Sequence, residues 1–184
     1  MRISMGSILA ANCRPLLTKY ISHALPDSPI SMMSASGSED GSYFNEPMTP
    51  ATYKLYIPAP STIERADSYL YHTATRNFFA WMFGKPLVGS HLGGALVGLL
   101  NCMNEFRHEE EDNLRAIMEF MDEVGYADVR NSPDHALGML FFAEHFHFRD
   151  LWIDAFVHCT GMHEKLPSSP GFEVSFSRRR KYSY

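Results

Sequence analysis

The chain has few cysteines and no long uninterrupted apolar run, and each shortage excludes a class of protein. Three cysteines in 184 residues are too few, and odd in number, for a disulfide framework. This scarcity indicates a reducing compartment, so we predict an intracellular protein, cytoplasmic or nuclear. The nearest candidate for a membrane span, residues 87–103, is interrupted by Ser90, His91 and four glycines. Because a span needs about 20 consecutive apolar residues, we predict no membrane partner.

Positive charge is also in short supply. Lys and Arg together number 16 against 21 Asp and Glu, which gives a formal net charge of −5 at pH 7. Proteins that bind nucleic acid through the phosphate backbone need a basic surface, so no nucleic-acid partner is predicted. One dense basic run, RRRK at 178–181, stands near the C-terminus. We interpret it as a solvated tail, and a nuclear-import signal is the alternative.

The sequence lacks the short motifs that mark common catalytic and cofactor sites. It contains no Cys-x-x-Cys pair, no glycine-rich phosphate loop, no Gly-x-Ser-x-Gly nucleophile turn and no His-Glu-x-x-His helix. Each of these motifs places a reactive or ligating group at a fixed spacing. Without them we predict no catalytic residues, no cofactor and no metal ligands, and we do not expect an enzyme.

Composition divides the chain into three parts. Residues 26–50 are rich in Ser, Pro and Gly and have no hydrophobic period, which is typical of segments that bury too little apolar surface to become ordered. We therefore predict a flexible N-terminal segment at 1–50 with one weak helix, a helical domain at 51–167 and a disordered basic tail at 168–184. Residues 1–26 carry basic residues and no acid. A targeting segment would share that pattern, but we favour a helical fragment of a longer domain.

Hydrophobic periodicity and helix caps predict a mainly α fold, a single bundle-like domain of about five helices with one short strand and disordered termini. Residues 52–57 (TYKLYI) alternate as a strand does and stop before two prolines. Ser61 and Glu64 match a capping box, and Ser132–Pro133 is a second strong helix start. The predicted helices are 62–83, 91–107, 111–124, 133–147 and 150–165.

Two of these helices are apolar on nearly every side, which predicts that they are buried. Helices 91–107 and 133–147 should be the most covered, since an all-round apolar helix needs neighbours in several directions. The glycines at 89, 93, 94 and 98 predict that another helix approaches closely there. In the last helix we expect one buried side, made of Leu151, Trp152, Ala155, Phe156, Cys159 and Met162.

Five of the nine histidines lie in the last two predicted helices, but their spacing does not assemble a metal site. His145 and His147 are two residues apart and diverge by about 200° on a helix, whereas zinc needs three or four converging ligands. Asp154 and His158 are four apart and can meet as one pair. Glu144 interrupts an apolar run. It is either a buried acid with a raised pKa or, as we favour, an ordinary carboxylate bonded to a neighbouring group.

Several stretches resemble a domain family of unknown function from filamentous ascomycete fungi. They are TRNFFAW (75–81), KPLVG (85–89), HALGMLFFAEH (135–145) and LWIDAFVHCTGM (151–162). The resemblance covers residues 52–166 and implies an intracellular protein with no assigned activity, cofactor or partner, so no functional residue is carried over. Relative to that family, a β-rich part before ILAANCRPLL and a helix after Phe172 are missing, which predicts a truncated copy.

These observations favour a non-catalytic protein-interaction or scaffold domain with an unidentified protein partner. The alternative is a divergent BTB/POZ-like dimerisation module. ILAANCRPLLTKY looks like its helix pair, TYKLYI like its third strand and ALGMLFFAEHFHFRDLWIDAF like its final helices. In that reading the strand edge is open and a homodimer is expected. The alternative from another class is an enzyme or ligand-binding helical domain that uses Glu144 and nearby histidines.

Overall fold

A computed structural model of the chain describes residues 5–22 and 54–175, and this part is mainly helical, as predicted. None of its helices has the length and apolarity needed to cross a membrane. The elements in chain order are α1 Met5–Ala10, α2 Arg14–Tyr20, β1 Ile21–Ser22, β2 Lys54–Leu55, α3 Arg65–Met82, α4 Leu92–Phe106, α5 Asn113–Val124, α6 Pro133–Phe146, α7 Arg149–Gly161 and a 3-10 helix at Leu166–Ser168.

Helices α4 and α6 form the centre of the domain. α4 packs against α3 on one side and α6 on the other, and α6 also packs against α7. In α6 the run Ala136–Leu140 is buried together with Phe142 and Ala143. α4 buries eight of its fifteen residues. The prediction that these two broadly apolar helices are the most buried is therefore confirmed.

Glycines set the close spacing of the three central helices. A Cβ atom placed on Gly93 of α4 would lie 2.7 Å from Cβ of Phe141 on α6. One placed on Gly98 would lie 2.9 Å from Cβ of Ala74 on α3. Real Cβ atoms do not approach a neighbour this closely, so α4 contacts both partners through glycine. This confirms the close approach predicted from the glycine spacing.

Of the two predicted helix starts, the cap at Ser132 is confirmed and the capping box at Ser61 is wrong. Asp112 caps α5 by accepting a hydrogen bond from the Arg115 amide at 2.9 Å. Ser132 caps α6, whose first residue is Pro133. The predicted capping box at Ser61 does not form. Instead the Pro60 carbonyl accepts the amide of Ile63 in a turn, so α3 begins only at Arg65.

The N-terminal part differs from the prediction of a flexible segment with one weak helix. Residues 5–22 contain two short helices, joined by a turn in which Asn12 has a left-handed φ of 53°. Their residues Ile8, Cys13 and Leu16 are buried in the main core. These helices are too short to be stable alone, so packing against the core, which for α2 includes contact with α4, orders them. The predicted flexible loop at 26–50 lies outside the described residues.

A buried arginine attaches α1 and α2 to the domain. Nε of Arg107, just after α4, donates to the Ala11 carbonyl at 3.1 Å. Its two Nη atoms donate to Oδ1 of Asn113 at 2.7 Å and to Oε2 of Glu111 at 2.8 Å. The guanidinium also lies 5.1 Å from the centre of the Trp81 ring. One side chain therefore links the N-terminal turn to the loop before α5.

Within the described residues, the predicted strand at 52–57 forms only at Lys54–Leu55. Lys54–Leu55 pairs antiparallel with Ile21–Ser22, with Leu55 opposite Ile21. The partner therefore comes from the same chain, and residues 51–53 lie outside the described part. Among the segments compared with a BTB/POZ fold, the first forms α1 and α2 and the last forms α6 and α7.

The folded part extends beyond the predicted boundary at residue 167. Leu166 is buried in the core, and Phe172 packs against it. Ser169 and Ser175 are also buried, at 7% and 3% exposure. Phe172 therefore attaches part of the Ser- and Pro-rich stretch, which composition alone identified as a disordered tail, to the core. The basic run at 178–181 lies outside the described residues.

Candidate interaction surface

Helix α7 is held against α6 by a tight turn and two small side chains. His147 ends α6 with a left-handed φ of 60°, and the Phe148 amide returns to the Ala143 carbonyl at 2.9 Å. On α7 itself, the buried residues are Ala155 and Cys159. Because they are four residues apart, they lie on one narrow strip of the helix. α7 is thus packed on one side only.

The outer side of α7 carries an apolar stripe that the domain leaves uncovered. Ile153, Phe156 and Val157 are 46%, 37% and 60% exposed. The half-buried Trp152 stacks on Phe156 with ring centres 4.9 Å apart and an angle of 7°. We call Trp152, Ile153, Phe156 and Val157 the α7 stripe. Phe156, predicted on the buried side, is exposed instead. Trp152, predicted on the same side, is half-buried and packs in part against the core.

A small cavity lies between α5 and α7, on a side of α7 away from most of the stripe. It encloses about 120 Å³, and its lining includes Met118, Asp122 and Asp154 but none of the four stripe residues. The lining residue nearest to the stripe in sequence is Asp154, which directly follows Ile153. The Asp154 side chain is 68% exposed, and its Oδ1 lies 3.8 Å from Nε2 of His158. The exposed surface of α7 therefore combines apolar groups with a carboxylate.

The residues proposed for an enzyme or ligand site do not share one cavity. Glu144 is exposed on α6, which contradicts a buried acid. His145 lines a groove of about 480 Å³ between α3, α4 and α6, whereas Asp154 lines the cavity between α5 and α7. His158 meets Asp154 as the spacing predicted. The α7 stripe was not predicted. The sequence feature that could have indicated it is that LWIDAFV (151–157) has apolar residues on nearly every side of the helix, more than one neighbouring helix can cover.

The cysteines of the described part are buried in apolar surroundings. Burial raises the pKa of the Cys13 thiol to about 11 and that of the Cys102 thiol to about 12. Cys159 is 3% exposed. Since the thiolate is the nucleophilic form, Cys13 and Cys102 stay protonated and unreactive at neutral pH. They act as small apolar side chains.

The position of Trp152 changes the expected cost of its truncation. A fully buried tryptophan costs roughly 3–5 kcal/mol when replaced by alanine. Because Trp152 is only half-buried, packing in part against the core and in part on the exposed Phe156, we expect Trp152→Ala to cost about 1–2 kcal/mol. His158→Ala, next to Asp154, should stay within about 0.5 kcal/mol. Urea unfolding measures both, and a cost above about 3 kcal/mol for Trp152→Ala would contradict its half-exposed position.

Metal removal should leave the protein unchanged. In residues 5–22 and 54–175, no three His, Cys, Asp or Glu side chains come together as metal ligands. We therefore expect zinc well below one ion per chain by elemental analysis and the same melting temperature with and without EDTA. One tightly held zinc per molecule, or a fall in melting temperature in EDTA, would contradict this prediction.

Comparison with known protein families gives a match in the C-terminal part of the chain. Residues 114–181 match the family described as Domain of unknown function (DUF8004). No curated protein and no solved structure gives a significant match. The matched region contains α6 and α7, whereas the stretches at 75–81 and 85–89 lie outside it, and the fungal origin stays a prediction. The part of this chain that carries the α7 stripe is thus similar to a domain of unknown function.

Proposed function

We propose that this chain is a non-catalytic protein-interaction domain whose α7 stripe binds an apolar, basic segment of a partner protein. The observation that carries the proposal is the uncovered stripe itself. Exposed apolar residues are ordinary when they are scattered singly, but a contiguous patch marks an interaction site more often than chance. Trp and Phe are also the side chains that anchor interfaces most strongly.

The charge of the surface selects the partner class. Asp154 directly follows Ile153 on α7, and its carboxylate is largely exposed. A helical partner segment with large apolar side chains on one face and Lys or Arg beside them complements both the stripe and this carboxylate. The same carboxylate disfavours an anionic lipid surface. A basic amphipathic peptide is therefore the proposed ligand.

The separation of Glu144, His145 and Asp154 supports this proposal over an enzyme that uses them together. General acid–base catalysis needs its groups within hydrogen-bond reach of one substrate, and these three residues face different surroundings. The BTB/POZ-like alternative depends on a strand edge that dimerises. In the described part Lys54–Leu55 pairs with Ile21–Ser22 along one edge. The interaction proposal rests on α7 because that helix carries the exposed apolar residues Ile153, Phe156 and Val157.

Selection of displayed peptides on the immobilised full chain tests the proposal. We expect the selected peptides to combine large apolar residues at a spacing of three and four with Lys or Arg. Their dissociation constants should rise at least tenfold for the double variant Ile153→Lys, Val157→Glu, because it places charge in the apolar centre of the interface. Asp154→Asn should weaken binding less and reduce its salt dependence.

A matched variant on another helix provides the control. Tyr69 and Leu70 of α3 are 73% and 59% exposed, so Tyr69→Lys, Leu70→Glu changes the same residue classes on a different surface. It should keep the affinity of the parent chain, while circular dichroism shows both variants folded. Selection of acidic or non-helical peptides, equal loss in both variants, or self-association through the stripe in sedimentation experiments would each contradict the proposal.

A further inference from the structure

A second cavity lies at the N-terminus of α4, on a different part of the domain from the α7 stripe. It encloses about 310 Å³. Its walls are the loop before α4, the first turn of α6 and the turn after the 3-10 helix, which contribute Ser90, His91, Gly93, His135 and Ser169. A volume of this size accepts a small molecule or a single chemical group of a larger one.

The N-terminus of α4 carries no acidic residue in its first turn. The cap is instead His91, whose Nδ1 accepts a hydrogen bond from the Gly94 amide at 3.1 Å. Burial lowers the pKa of His91, so the ring stays neutral and keeps accepting this bond at neutral pH. The amides of Leu92 and Gly93 stand in the first turn of α4, so the helix provides no earlier carbonyl to which they can donate. A fifteen-residue helix therefore presents its positive end to the cavity.

An unsatisfied hydroxyl lies in the same place. Ser169 lines the cavity, is 7% exposed, and its Oγ atom is buried without a hydrogen-bond partner among the described residues. A buried hydroxyl without a partner costs free energy, and a bound acceptor would satisfy it. The Oγ of Ser175 is unsatisfied in the same way, but Ser175 does not line this cavity.

One further side chain offers a proton to the cavity. The hydroxyl oxygen of Tyr126 accepts the Leu87 amide at 2.8 Å, which leaves its own proton to donate. His135 also lines the wall, but its Nδ1 donates to the Asp128 carbonyl at 3.0 Å, so a neutral ring has no second proton for a ligand. The acidic residue of the lining is Asp134, which is exposed on the first turn of α6. Its charge disfavours a ligand that carries a second negative group near the rim.

We propose that this cavity binds one small oxyanion group, a phosphate or a carboxylate, between the α4 N-terminus and the Ser169 hydroxyl. The oxyanion accepts the orphan amides of Leu92 and Gly93 and the proton of Ser169 Oγ. This ligand class follows from the donors, which are neutral and line one cavity. The site is independent of the α7 stripe.

Titration of the full ¹⁵N-labelled chain with sodium phosphate at constant ionic strength tests the site, and a parallel titration uses sodium acetate. We expect saturable shifts centred on the amides of Leu92, Gly93 and Ser169. Ser169→Ala should raise the dissociation constant about tenfold, the effect of one lost hydrogen bond. Ser175→Ala is the matched control, because it also removes an unsatisfied buried hydroxyl but should keep the affinity of the parent chain.

The two anions identify the source of the ligand group. Tighter binding of phosphate indicates a phosphorylated ligand, tighter binding of acetate indicates a carboxylate ligand, and both results support the site. Linear shifts that do not saturate with either anion, shifts centred away from Leu92 and Gly93, or equal affinity in Ser169→Ala and the parent chain would overturn it.

Discussion

Replacing Arg107 with alanine is expected to lower the free energy of unfolding by about 3–4 kcal/mol. The side chain is 8% exposed and makes hydrogen bonds to Ala11, Glu111 and Asn113. Its removal leaves the Glu111 carboxylate without its cation and Asn113 Oδ1 without the Arg107 donor. The Ala11 carbonyl keeps only the weak Cys13 thiol donor at 3.3 Å. Partners that lose a buried donor retain their desolvation cost, so the effect exceeds that of a surface ion pair.

Arg115→Ala is the matched control for Arg107→Ala. Both arginines form an ion pair at 2.8 Å with a glutamate four residues later, but Arg115 and Glu119 are 75% and 60% exposed. Exposed pairs of this kind contribute little because water screens them, so no measurable change is expected for Arg115→Ala. Guanidinium unfolding gives both values. In hydrogen exchange, Arg107→Ala should also lose protection at residues 8–20, and equal costs for the two variants would contradict the buried link.

The helices that the sequence predicted well are those whose signals are local. Asp112, Ser132 and Gly125 mark the ends of α5 and α6 through contacts within three residues. The attachment of the N-terminal helices was missed because it depends on contacts far apart in sequence. Arg107 and Ala11 are 96 residues apart. α1 has six residues and α2 has seven. Both are too short for their hydrophobic periodicity to show which face packs against the domain.

The candidate surface was missed for a related reason. Apolar residues occur at Leu151, Trp152, Ile153, Phe156 and Val157, so they surround most of α7. Periodicity alone does not say which side a neighbour covers. That choice is made by the tight turn at residues 147–148, which lays Ala155 and Cys159 against α6 and leaves the larger side chains outside.

Gly93→Ala is expected to destabilise the protein by about 2–3 kcal/mol. The new Cβ would lie 2.7 Å from Cβ of Phe141 and 2.9 Å from two of its ring atoms. Two central helices, α4 and α6, would have to separate to accommodate it. This cost exceeds the gain of up to about 1 kcal/mol that alanine brings over glycine inside a helix.

Gly161→Ala measures the stability that alanine adds over glycine inside a helix, without the packing cost expected at Gly93. Gly161 is the last residue of α7, has nothing within 4 Å of an added Cβ and does not need a left-handed backbone. Alanine there should therefore stabilise the protein by about 0.5 kcal/mol, by restricting the unfolded chain. Thermal and urea unfolding should then show two glycine-to-alanine changes with opposite signs. If Gly93→Ala were as stable as the parent chain, α4 and α6 would not be in the close contact that places Phe141 beside Gly93. The centre of the domain would then have to be packed differently.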